Sequence, residues 1–270
     1  MLIFPQRFQP SLRSISFNFF NNVYALVLIR VIERTQMIRV FIGYSRAAPG
    51  ASSVAAFSIA RRASQPVAIS HLALNQLGGI YTRPHHDMQS TDFSFSRFLT
   101  PYLCGFEGWA IFMDDDMLVQ DDIAKLWNLR DPAYAVQVVR HNHVPTEDVK
   151  FLEKVQTRYE KKNWSSVMLF NCAQCRALTP DYVNTASGLE LHQFKWLGDD
   201  GRIGALPARW NHLVDYDPPS SDAAILHYTT GGPFYDDFSN CSYSKEWFAE
   251  REAMLHCDQP TVKNPVKAAS

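Results

Sequence analysis

Residues 109–127 read WAIFMDDDMLVQDDIAKLW. Five apolar side chains, Trp109 to Met113, run straight into three consecutive carboxylates, Asp114, Asp115 and Asp116, and the apolar run then resumes. A short apolar run bounded by polar residues reads as a buried strand, which sets the three acids at its tip. Each repels its neighbours, and an unpaired buried carboxylate costs several kcal/mol, roughly, after relaxation. Something positive is missing beside them, and a metal ion is the candidate. Side chains alternate along an extended strand, so Asp114 and Asp116 share one face and Asp115 points away. Two carboxylates on one face suit Mg²⁺ or Mn²⁺ carrying substrate phosphates. The plainer alternative is a solvated acidic turn.

Outward from this stretch, strand and helix signals alternate. IRVFIG (38–43) is a first strand, and ASSVAAFSIARRA (51–63) has helical spacing. PVAIS (66–70) is a second strand, and in DFSFSRFLTPYL the residues Phe95, Phe98, Leu99 and Tyr102 recur at helical intervals. After the acidic tip, DDIAKLWNL reads as a helix with Asp121 and Asp122 near the positive end of its dipole. AYAVQVV and SSVMLFN read as strands, TEDVKFLEKVQTRYEKK (146–162) as an exposed helix, AAILHY as a short strand and KEWFAEREAML as a final helix. Alternating β and α units predict a mostly parallel sheet with helices on both faces. In such α/β sheets ligands bind beyond the carboxyl ends of the strands, where Asp114–Asp116 stand.

The 270 residues, 46% apolar and 20% charged, suffice for one large α/β domain. A net charge of -1 implies no bulk attraction to nucleic acid. Cys104, Cys172, Cys175, Cys241 and Cys257 are too sparse for a disulfide framework, and the lone CAQC (172–175) lacks the second pair that a structural zinc site needs. They read as core thiols in a reducing, cytoplasmic setting. The segment SISFNFFNNVYALVLIRVI (14–32) holds three Asn and one Arg. It makes a poor membrane span beside the about 20 apolar residues one requires. The folded domain is therefore expected to run from 37 to 257. Residues 1–36 form an extension outside the core, with peripheral membrane contact by an interfacial helix as the lesser alternative, and 258–270 form a tail.

FMDDDMLVQDDIAKLW resembles the DxD stretch of GT-A glycosyltransferases, specifically family 8, the type that includes glycogenin and bacterial lipopolysaccharide galactosyltransferases. VFIGYS (40–45), FSRFLTPYL (95–103), SSVMLFN (165–171) and HYTTGGP (227–233) follow the family's order. The resemblance covers roughly residues 38 to 240. It implies a GT-A fold with a Rossmann-like, mostly parallel central sheet, and sugar transfer from a nucleotide-sugar such as a UDP-sugar to an acceptor (saccharide, lipid or protein), with retention. It implies Mn²⁺ or Mg²⁺ held by Asp114, Asp116 and His227, and Gly231 and Gly232 admitting backbone N–H groups to the diphosphate. Tyr44 would stack on the base or serve as a strand-end aromatic, and Arg97 would lie near the nucleotide or be a surface charge. Asp199 and Asp200 in WLGDDGR fall where the family lines the sugar pocket, with a polar turn as the alternative. Departures are visible. Trp164 stands where an Asn often contacts the sugar, and the usual lysine after the late His and Gly is absent, leaving the diphosphate to Arg46, another Arg or backbone. Of Trp109, Trp164, Trp196 and Trp210, some could stack on sugars, though core packing suits most. The rivals are a haloacid-dehalogenase-like phosphohydrolase, which would need its nucleophilic Asp on the first strand, and a domain that binds nucleotide-sugars without turnover.

Overall fold

The computed structural model describes residues 37–85, 89–142, 149–150, 154–155 and 160–256. The expectations for residues 1–36 and for the 258–270 tail lie outside them. The architecture below is that of the unit from Ile38 onward.

β1 (Ile38–Gly43) and β2 (Val67–Leu72) flank α1 (Pro49–Arg62), as their sequence patterns predict. Pro49 opens α1 where a missing N–H costs nothing, and Arg61 and Arg62 close it at the negative end of its dipole. β3 (Trp109–Met113) lies beside β1, and β8 (Val167–Asn171), β5 (Val136–Val138) and β9 (Ile203–Ala205) complete one sheet. The strand order is β2-β1-β3-β8-β5-β9. Only β8 runs against the others, paired antiparallel with both β3 and β5.

Strand alternation sorts the core into two faces. Ala110 and Phe112 of β3, with Met168 and Phe170 of β8, pack under Phe93, Phe98 and Phe194. They also meet Val183 of α4 (Pro180–Thr185) and Leu191 of α5 (Gly188–His192). Ile111, Met113, Val167 and Leu169 pack on the opposite face with Ala55 and Ile59 of α1 and with Trp210. Cys172 and Cys175 of the CAQC stretch are free and buried in the first of these faces, so they are core thiols.

A second, three-stranded sheet escaped the sequence reading. The chain leaves β3 at the acids and enters β4 (Met117–Val119), which pairs antiparallel with β11 (Ile225–His227); β10 (His212–Leu213) lies parallel to β11. The helix expected over DDIAKLWNL (121–129) follows β4 and is shorter than that stretch. α3 spans Ile123–Trp127, and the Asp122 side chain caps it by accepting the Ala124 N–H. Phe95–Tyr102 form a 3₁₀ turn (Ser96–Leu99) leading into the one-turn α2 (Thr100–Leu103) rather than one regular helix. The exposed helix expected over 146–162 is corrected too. Its described residues β6 (Val149–Lys150) and β7 (Lys154–Val155) pair antiparallel, and 160–162 form a turn. α6 (Ser244–Leu255) packs against α1.

Asp121 ties α3 to the loop before the small sheet. It accepts from Lys125 Nζ at 2.7 Å, and Arg209 pairs with it at 3.0 Å. Burial alone would raise this carboxyl, but hydrogen bonds from Lys125, the Asp122 amide and Arg209 outweigh it and hold the pKa at about 2. A carboxyl lowered in the folded state stabilises above its unfolded value of 3.8 and loses that contribution as pH falls through about 2. Asp121→Asn is therefore expected to be less stable than the parent at pH 6. In urea unfolding at stepped pH, the difference should close between pH 3.8 and about 2.

Candidate metal centre and the cavity beside it

The register of the small sheet builds the site. His227 stands directly opposite Met117, the residue after the three acids, and the Tyr228 amide donates to the Asp116 carbonyl at 3.0 Å. One ligand atom from each of Asp114, Asp116 and His227 lies within 4.8 Å of the others. His227 Nε2 is 3.4 Å from Asp116 Oδ1, and that oxygen is buried with no hydrogen-bond partner.

The tautomer of His227 follows from its other nitrogen. Asn211 Nδ2 donates to the Asn163 carbonyl at 3.2 Å, which turns its Oδ1 to His227 Nδ1 at 2.9 Å. Nδ1 carries the proton, which leaves Nε2, facing a carboxylate oxygen, to take a second proton or a metal ion. Two lone pairs that close repel unless a cation lies between them. The donor set, two carboxylates and an imidazole, suits a divalent metal.

Asp115 turns the other way. Its Oδ2 accepts the Ser45 N–H at 3.0 Å and so holds the loop after β1. Burial, reinforced by Asp116 and Asp114, pushes its carboxyl well above the usual range. Arg97 is buried rather than superficial. It pairs with Asp114 Oδ1 at 2.7 Å, donates to the Ser165 carbonyl at 3.0 Å and lies over the rings of Phe93 and Phe112. Burial and nearby Asp115 and Asp116 raise Tyr235 to about 12.

Asp114, Asp116 and His227 open onto a cavity of about 640 Å³. Arg83, Phe95 and His192 form one side of it, and Lys162, Asn163 and Thr229 another. A narrower cleft beside it is walled by Ser45, Asp115, Gly231 and Tyr235.

Several residues expected at the site are elsewhere. Asp199 and Asp200 are exposed and line neither space. Asp199 caps a 3₁₀ turn through the Gly201 N–H, and Asp200 pairs with Lys161 at 2.6 Å, so both serve a turn. Tyr44 meets His71 edge-on at 6.1 Å, the strand-end role, and also lines neither space. Arg46 is exposed and paired with Asp92 at 3.1 Å. Gly231 lines the narrow cleft, whereas Gly232 does not. Their lack of a side chain has a packing reason: a Cβ would fall 2.6 Å from the Phe238 ring at Gly231 and 2.3 Å from the Phe234 ring at Gly232. Among the described residues no tryptophan lines the cavity. Trp210 and Trp196 are buried, and Trp164 donates to the His141 carbonyl.

Asn211, Lys162, Asn163 and the Ser165–His192 hydrogen bond (2.8 Å) went unread in the sequence. They sit in irregular segments where no period marks a buried polar residue. The one available signal was the isolated Asn211 next to the apolar strand that carries Leu213.

Solved structures with this architecture are glycosyltransferases. LgtC, in the form of an active-site mutant, superposes with a TM-score of 0.55 at 12% identity, covering 82% of this chain and 98% of that one. A second LgtC structure is described as a galactosyltransferase in complex with donor and acceptor sugar analogs. GlyE of Streptococcus pneumoniae TIGR4 gives 0.54 at 15% identity over 82% of this chain, which spans only 62% of GlyE. The fold is that of a GT-A glycosyltransferase. Residues 56–179 match the model of glycosyl transferase family 8, and 224 residues are 42% identical to Protein CDI of Arabidopsis thaliana, covering 79% of this chain and 86% of that protein. The chain belongs to glycosyl transferase family 8 and is a glycosyltransferase. Among the described residues no helix is long and apolar enough to cross a membrane.

Proposed function

We propose that the chain moves a sugar from a UDP-sugar to a saccharide, lipid or protein acceptor, with retention, and that Asp114–Asp116 act as a DxD motif. In this reading Asp114, Asp116 and His227 hold Mn²⁺ or Mg²⁺. The observation that carries it is the His227 ring, fixed by Asn211 so that its Nε2 faces an unpartnered oxygen of Asp116. A divalent cation, when bound, stabilises as a Lewis acid the charge growing on the departing diphosphate, worth roughly several kcal/mol.

The protein's own contributions follow from the geometry. Arg97 holds Asp114 in place, Asn211 orients His227, and Asp115 fixes the loop after β1 against the acids. The cavity volume lies within the roughly 300–1,000 Å³ common for small-molecule sites. Among its described lining residues the carboxylates are Asp114 and Asp116, both in the cluster, so the reading assigns no side-chain nucleophile. The LgtC complex with donor and acceptor sugar analogs supports a donor and an acceptor as the two substrates.

The test is release of nucleoside diphosphate from a panel of UDP-, GDP- and ADP-sugars in Mn²⁺ or Mg²⁺, with the product's anomeric configuration read by NMR. UDP released from one UDP-sugar, lost with EDTA and giving a product of unchanged configuration, is the expected result. Metal-independent release or an inverted product would overturn it. Asn211→Ala should leave the fold intact and weaken Mn²⁺ about 10–100-fold, the usual cost of losing the group that orients a metal-binding histidine. Mn²⁺ titration by electron paramagnetic resonance measures this directly.

A further inference from the structure

At the end of β8 remote from the cavity, two thiols distant in sequence meet. Cys104 follows α2 and is half-buried, and Cys172 follows β8 and is buried. Their side chains are joined by a hydrogen bond, and α2 packs against the turn Cys172–Gln174. Neither thiol lines the cavity or the narrow cleft. The other cysteine of CAQC is committed elsewhere. The Cys175 thiol has the Ala135 and Asn171 carbonyls each at 3.3 Å, and burial pushes its pKa up to about 12.

The turn after Cys104 brings the pair together. Gly105, Phe106 and Gly108 all take left-handed φ values, 65°, 57° and 63°, which only the glycines adopt without strain. The chain reverses tightly enough that the Phe106 N–H donates to the Pro101 carbonyl at 2.8 Å and the Cys172 N–H to the Gly108 carbonyl at 2.9 Å. Arg39 of β1 donates to the Glu107 and Trp109 carbonyls of the same turn, which sets its guanidinium near Cys104. A Cβ at Gly108 would fall 2.9 Å from Arg39 Nη2, so this glycine makes room for the cation. Gly105, Glu107 and Gly108 are exposed, and the turn is open to solvent.

A half-exposed thiol beside a cation, with a second thiol in contact, is the setting of a reactive cysteine and its resolving partner. The Cys172 hydrogen bond favours the Cys104 thiolate, burial opposes it and Arg39 adds to it, and together they hold Cys104 below the usual thiol range. The same hydrogen bond, with burial, pushes Cys172 up and keeps its proton in place. We propose that Cys104 and Cys172 form a reversible oxidation site, which a peroxide converts from two thiols to a disulfide. The Cys104 thiolate attacks one oxygen of hydrogen peroxide, the O–O bond breaks, and the released hydroxide takes a proton to leave as water. The Cys172 sulfur then attacks the resulting Cys104 sulfenic acid. The S–S bond forms as the S–O bond breaks, and the departing hydroxide takes the Cys172 proton as a second water. Two thiols are oxidised by one peroxide, and an external dithiol reverses the change. The same two segments also meet at the cavity, where Arg97, ahead of α2, donates to the Ser165 carbonyl ahead of β8. The disulfide staples their far ends.

The test is to treat the reduced full chain with hydrogen peroxide at pH 7 and map its peptides by mass spectrometry without reduction. The expected product is a Cys104–Cys172 linked peptide, formed about tenfold faster than any oxidation of Cys241 and returned to two thiols by dithiothreitol. Cys172→Ala removes the resolving sulfur, so dimedone should then trap a sulfenic acid on Cys104. Arg39→Met should slow iodoacetamide labelling of Cys104 about threefold for each unit its pKa rises, the net of less thiolate and greater intrinsic nucleophilicity. The parent's peptide map decides the matter even where a variant fails to fold. Cys104 staying reduced while Cys241 oxidises, a disulfide joining either thiol to another cysteine, or a Cys104–Cys172 link that forms only in urea overturns the proposal.

Discussion

Asp116→Asn is expected to abolish metal-dependent UDP binding at millimolar Mn²⁺ while leaving the fold intact. The change removes a charged oxygen ligand whose Oδ1 faces His227 Nε2 at 3.4 Å and puts a neutral amide in its place. Loss of a residue that merely orients a ligand costs about 10–100-fold, so loss of the ligand itself should exceed about 100-fold. His227→Ala should act similarly by opening a coordination position. Asp114→Asn adds a second injury, since it also removes the ion pair of Arg97, which is buried against two aromatic rings. Asp115→Asn should differ from all three. Its side chain faces the Ser45 amide, and an asparagine oxygen can accept the same hydrogen bond. Calorimetric titration of UDP at fixed Mn²⁺ compares the four variants. Equal losses at Asp114, Asp115 and Asp116 would refute the shared-face arrangement as the basis of metal binding.

Glu250→Ala is expected to cost about 3 kcal/mol of stability. Glu250 is 3% exposed on α6 and accepts from Arg62 through both oxygens, at 2.8 and 2.7 Å, with Arg61 at 3.4 Å. Removing it leaves Arg62, whose side chain is only 22% exposed, without its counter-charge. The lower end of the usual range for breaking a buried pair applies because Arg61 can turn to solvent. For a chain of this size the loss corresponds to a melting point lower by about 5–10 °C. Turnover at 25 °C should persist, because the pair lies between α1 and α6 and touches no cavity residue. A fall below about 2 °C in differential scanning fluorimetry would show that α6 is held by its apolar contacts, Trp247 foremost.

How much of this could be read from the sequence depended on whether a feature was periodic. Five of the six strands of the large sheet announced themselves as apolar runs, β9 (Ile203–Ala205) being the one that did not, and Asp114 to Asp116 stood out because charge followed such a run without a break. The small sheet did not. β4 is three residues long and sits between acids and a helix cap, too short for any alternation to register. The charged stretch around Lys150 and Lys154 has helical spacing, yet the described residues pair as strands, where tertiary context overrides propensity. Asp199 and Asp200 were singled out by the family resemblance, but they follow a turn rather than an apolar strand, and turns use such acids for caps and tethers. Trp164, a departure from the family's asparagine, sends its indole N–H to the His141 carbonyl, while its neighbour Asn163 lines the cavity.

The join between β4 and β11 has a consequence for assembly. Residues 116 and 227 meet only when the last strand of the small sheet docks. A half-made chain carries two acids and no imidazole, so it should capture metal weakly until synthesis has passed the final strand. On the metal reading proposed above, an ion held by Asp114, Asp116 and His227 would act as a clasp across two strands distant in sequence. Each tenfold excess of free metal over its dissociation constant should then deepen the native well by about 1.4 kcal/mol. Metal supply would in this way set how long the molecule survives as well as how fast it works.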